Sequence, residues 1–149
     1  MSAYGPDGLL MTPRLKVSFL LLVLFQAVHS VEEYFGRLWE VFVPARFLTS
    51  VVAPSDPVAG FLIINIGLAL LGFACYLWIV RPATPSARAW VWFWIVLEAI
   101  NALGHAAWSI ASVSYQPGLV TVLPFYALVP VLVREMLKSA PQGIGQVAR

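Results

Sequence analysis

The chain is poor in thiols and in charge: of 149 residues one is cysteine, Cys75, and only 11 per cent are charged. A single thiol excludes an internal disulfide framework and any metal centre built from several thiolates. Soluble domains carry about 25 per cent charged residues, so this composition excludes an ordinary globular enzyme, a disordered chain and a nucleic-acid binder with a basic face. What fills the sequence is apolar: 60 per cent of residues are hydrophobic, and the mean hydropathy is +0.84. So short a chain cannot hide that much apolar surface from water, because small domains bury only part of what they carry. The expected surroundings are therefore a lipid bilayer, with no nucleic-acid partner.

Crossing the hydrocarbon takes roughly 20 helical residues, and four apolar stretches meet that need, at 15–35, 58–80, 89–111 and 119–137. The expected fold is all-α, a four-helix transmembrane bundle. Residues 1–14 form an N-terminal tail, 15–138 a single four-span domain and 139–149 a C-terminal tail. The breaks have their own chemistry. Asp56-Pro57 caps and starts the second stretch, because Asp accepts orphan N–H bonds and Pro in the first turn needs no donor. Arg81-Pro82 ends that stretch, and Gln116-Pro117-Gly118 marks a turn. Pro124 and Pro130 are expected to kink the last one. Four crossings gather Arg14, Lys16, Arg81, Arg88, Arg134, Lys138 and Arg149 on one side and leave Arg37 and Arg46 on the other. The positive-inside rule then puts both termini in the cytoplasm.

Ionisable side chains inside a span are costly and mark function by default. Here they are His29, Glu32, Glu33, Glu98 and His105, with Asn65 and Asn101 as neutral companions. His29, Glu32 and Glu33 stand at i, i+3 and i+4, and Glu98, Asn101 and His105 at i, i+3 and i+7, so each set shares a helical face. At about 1.5 Å rise per residue, both stripes, Asn65 and Tyr126 reach one layer near the midplane. Two imidazoles and three carboxylates suit one divalent metal, zinc, iron or manganese. A full di-iron set of paired Glu-x-x-His motifs is missing, since Asn101 stands three after Glu98. Without metal the same groups suit acid–base work, with Glu32 or Glu33 as acid and His29 or His105 as base. A purely structural cluster would have to repay the desolvation of five ionisable groups.

The run His29-Ser30-Val31-Glu32-Glu33 reads H-x-x-E-E; His105 and then Tyr115-Gln116-Pro117-Gly118, a Y-x-P-G, follow it. In this order the three features resemble the HXXEE-motif family of small bacterial integral membrane proteins. The resemblance implies a four-helix membrane protein of a bacterial inner membrane. It singles out His29, Glu32, Glu33, His105, Tyr115, Pro117 and Gly118 and assigns no reaction. The Y-x-P-G segment reads as a tight turn, or as a lid over the cluster.

These features together predict a membrane-embedded enzyme acting on a hydrophobic small molecule or lipid. The alternatives are an ion- or proton-coupled carrier subunit and a structural subunit. Ala102-x-x-x-Ala106 offers a small-residue face for a homo-oligomer.

Overall fold

In the computed structural model, residues 11–138 are described, and the expected tails, Arg149 included, lie mostly outside them. Six α-helices form among the described residues, where four were expected: α1 (Pro13–Phe35), α2 (Leu38–Val41), α3 (Val43–Val52), α4 (Pro57–Cys75), α5 (Ala87–Ser112) and α6 (Leu123–Lys138). The two extra helices occupy the segment expected to be a connection. Arg37 turns left-handed (φ 53°) to break α1 from α2, and a proline in the first turn starts α3. Helix α4 continues as a π-helical turn, Tyr76–Val80. Counting that turn, three helices are long and apolar enough to cross a membrane: Pro13–Phe35, Pro57–Val80 and Ala87–Ser112. Helix α6, with 16 residues, is shorter than the expected fourth stretch because 119–122 form a turn instead. Pro124 therefore falls in the first turn of α6, where no N–H is needed, and only Pro130 of the two expected kinks sits in the helix interior.

The local signals act as their chemistry dictates. Asp56 accepts the Ala59 N–H at 3.0 Å, and Thr12 caps α1 by accepting from Leu15 at 3.1 Å. Thr12 also donates to Glu135 of α6 at 3.2 Å, Lys138 donates to the same carboxylate at 3.2 Å, and Lys16 reaches the Arg81 carbonyl at 2.7 Å. These contacts gather the start of α1 and the ends of α4 and α6 into one charged end.

Between the helices lies a heptad-like stripe. On α1 the buried positions include Leu15, Phe19, Leu22, Gln26, His29 and Glu33, and on α5 Val91, Trp94, Glu98, Ala102 and His105. Steps of three and four keep both series on one helical face. Next to the charged end the stripe is apolar, with Phe19 meeting the Trp94 ring edge-on at 6.3 Å. Leu132 and Met136 of α6 close this core. Helix α1 packs on α4 and α6, and α5 packs on α6. Helix α4 meets α5 mainly through its π turn, so the two diverge toward the opposite end. Helices α2 and α3 bridge that divergence. Phe42, between them, stacks on Trp108 of α5 at 4.7 Å, and Gly60 of α4 lies so close to the Thr49 carbonyl that a side chain there would collide with it.

Candidate functional site

One turn of helix separates His29 from Glu33, and α5 carries His105 to the same level. His29 Nε2 and His105 Nε2 stand 3.3 and 3.2 Å from Glu33 Oε1. The imidazoles meet edge-on at 4.8 Å between ring centres, with Phe125 of α6 against His29 at 5.6 Å. All three ionisable side chains are buried. Their ligand atoms lie within 4.8 Å of one another, close enough for one ion.

Glu32 takes a different path. It points away from Glu33 and is held by the segment before α6. Tyr115 Oη donates to Oε1 at 2.5 Å and the Val120 N–H at 3.2 Å; the Thr121 N–H and hydroxyl donate to Oε2 at 2.7 and 2.5 Å. The bond to Glu32 pushes the Tyr115 phenol up to about 12, so Tyr115 remains a donor at neutral pH. Thr121 Oγ1 also lies 2.9 Å from His29 Nδ1, which links the two halves of the H-x-x-E-E run through one hydroxyl.

The segment between α5 and α6 lies across the cluster as a strap. Gly118 has φ +92°, a left-handed conformation that favours glycine. A Cβ there would stand 2.5 Å from His105 Cε1 and 2.6 Å from His29 Cε1, so this backbone touches both rings. Pro117 packs as tightly on Gly36, at the end of α1.

Glu98 sits one layer toward the charged end. Its buried carboxylate accepts from the Gln26 amide at 3.0 and 2.9 Å, with the amide oriented so that nitrogen faces the two oxygens, and from Asn101 at 3.4 Å. Asn65 of α4 accepts from Ser30 at 2.8 Å and donates to the Phe61 carbonyl at 3.1 Å. Tyr126 does not join the layer; it donates to the Ala102 carbonyl at 2.7 Å on the α5–α6 face. Ala102 is itself buried within the chain.

A cavity of about 280 Å³ fills the wedge between α3, α4 and α5. Glu33, Glu98, Asn101 and His105 line its polar floor, and Phe42, Leu48, Phe61, Leu68 and Ile100 are among its apolar walls.

Residues 20–133 match the family model described as a protein of unknown function with HXXEE motif. The chain belongs to the HXXEE family. Within this HXXEE protein the motif residues do separate work: His29 and Glu33 build the buried cluster, while Glu32 anchors the strap. No curated protein and no solved structure matches the chain.

Two participants escaped the reading of the sequence. Gln26 stands three before His29, on the same face, and that spacing was signal enough. Thr121 had none, because a threonine beside a turn is ordinary and only the fold brings it to His29.

Proposed function

We propose that this HXXEE protein is a membrane-embedded enzyme that acts on an apolar small molecule or lipid taken laterally from the bilayer. It crosses the membrane four times, with the charged end on the cytoplasmic side of a bacterial inner membrane. Helix α6 reaches about 24 Å at 1.5 Å per residue, and the strap at 119–122 makes up the remaining depth. Arg14, Lys16, Arg81, Arg88, Arg134 and Lys138 put the positive charge where the positive-inside rule wants it.

The observation that carries the reading is the cavity. Apolar walls bind by burial, and a few convergent polar groups at one end orient and react, which is the usual anatomy of a small-molecule site. The wedge between α4 and α5 faces the side of the bundle, so a lipid-soluble molecule would arrive without crossing water. Glu33 and His105 reach both the cavity and the cluster, and the buried Glu98 carboxylate is held beside them, so proton donors and acceptors sit at the cavity floor. A carrier is less well supported. The stripe below Glu98 is filled by Leu15, Phe19, Leu22, Val91 and Trp94, a packed apolar plug where a carrier needs a polar route.

The test is turnover in the protein's own solvent. Wild-type protein in native-lipid nanodiscs is incubated with fractionated membrane extract, and the lipids are compared by mass spectrometry with those from His105→Ala and Glu98→Gln. Depletion of a component by wild type alone supports the reading. Identical lipid profiles for all three, with no ligand extracted from the wild-type protein, overturn it.

A further inference from the structure

Glu32 fixes the tautomer of His29. Its carboxylate is met by four donors, one of them the Thr121 hydroxyl. A hydroxyl has one proton, and Thr121 directs it to Glu32 Oε2 at 2.5 Å. Thr121 Oγ1 can then only accept from His29 Nδ1, 2.9 Å away, so His29 carries its proton on Nδ1. The bare lone pair of Nε2 is turned inward. It finds no hydrogen-bond partner among the described residues, and it faces a carboxylate oxygen at 3.3 Å. Two acceptors aimed at each other in a buried, strapped site ask for a cation between them. His105 Nε2 is hydrogen-bonded to the same oxygen at 3.2 Å, so a metal ion bound there would replace the Nε2 proton, which a neutral imidazole can carry on Nδ1 instead.

We propose that His29 Nε2, His105 Nε2 and Glu33 bind one divalent transition metal of the zinc type, and that Glu32, Thr121 and Tyr115 are the positioning residues that hold His29 ready for it. With metal–ligand bonds of about 2.0–2.2 Å, adjacent ligand atoms around a tetrahedral ion stand about 3.3 Å apart. Glu33 Oε1 already keeps that spacing to both imidazoles. The widest gap, 4.8 Å at most, closes by a swing of the two rings toward each other. A His2Glu set leaves a fourth position, as catalytic zinc sites do, and Glu33 and His105 place it toward the cavity. The two carboxylates of the motif thus divide the labour: Glu33 is the ligand, and Glu32 sets the proton on the ligand His29. Outer partners of this kind are typically worth 10–100-fold in metal affinity.

The proposal shares its residues with the enzymatic reading but does not need turnover. Full-length protein without a histidine tag is stripped with chelator in detergent and titrated with zinc and cobalt. The expected result is one equivalent of zinc by elemental analysis and a cobalt visible spectrum typical of tetrahedral nitrogen–oxygen coordination. Both are lost in His29→Ala and Glu33→Ala. Thr121→Val and Glu32→Gln should bind zinc 10–100-fold more weakly, while Thr121→Ser binds like wild type. In Thr121→Val the acceptor for the His29 Nδ1 proton is gone, and the side-chain nitrogen shifts of His29 should report a loss of the Nδ1-protonated tautomer. A folded wild-type protein that binds neither metal overturns the proposal, whatever the variants do. Wild-type affinity in both Thr121→Val and Glu32→Gln overturns the positioning role. Bound zinc without lipid turnover sinks the enzymatic reading alone, and turnover by a protein that binds neither metal sinks this one alone.

Discussion

The two halves of the α1–α5 stripe use the same geometry for opposite purposes. Toward the charged end the positions are Leu15, Phe19, Leu22, Val91 and Trp94; toward the strap the same register holds Gln26, His29, Glu33, Glu98 and His105. The backbone does not change between them, and neither does the burial. What changes is whether each side chain can be satisfied by packing alone. The apolar half needs only complementary shape. The polar half needs named partners: Glu98 needs Gln26 and Asn101, His29 needs Thr121, and Glu32 needs the strap. A helical register therefore decides which residues meet, and residue type decides whether packing alone satisfies the meeting.

Replacing His29, Glu33 and His105 together by leucine is the harshest test of that division. Activity and metal binding should vanish. Stability should hold or rise by about 1–4 kcal/mol, because a buried charged cluster is often no better than well-packed apolar groups. Unfolding in graded denaturing detergent, run beside the lipid assay, checks both. The mirror-image change in the other half, Trp94→Ala, should cost about 3–5 kcal/mol. The protein that stays folded should keep wild-type zinc affinity; a loss of affinity per folded molecule would show that the halves are not separable. Gly118→Ala strikes the seam between packing and chemistry. The left-handed backbone and the two imidazole contacts oppose a methyl group there, and the expected cost is about 1–3 kcal/mol, with a weaker zinc site. A variant that binds zinc as tightly as wild type would mean that the strap covers the rings without holding them.

The sequence was most legible where one helix suffices. The i, i+4 pairing of His29 with Glu33, the Asp56 cap and the long apolar runs all follow from local spacing. Glu32 shows where that reasoning stops. At i+3 from His29 it belongs to the same face in the helical arithmetic, yet the donors of the strap draw it away from Glu33, and those donors lie 83 to 89 positions along the chain. Tyr126 likewise bonds elsewhere, to the Ala102 carbonyl and not to the cluster. The short helices α2 and α3 were hidden because their apolar residues read equally well as an interfacial loop, and the divergence of α4 from α5 that they bridge is a tertiary fact.

The clamp on Glu32 also sets a problem for biogenesis. Helix α1 leaves the ribosome before the strap does, and Thr121 is made 89 residues after Glu32. At about 5–20 residues per second, Glu32 waits roughly 4–18 s for its partners. Through that interval the nascent first helix carries two carboxylates and an imidazole with nothing from the strap to receive them. A chain arrested before residue 121 thus lacks both Thr121 donors to Glu32 and the hydroxyl that meets His29. Synthesis of the strap, before α6 begins, is then what gives Glu32 its partners.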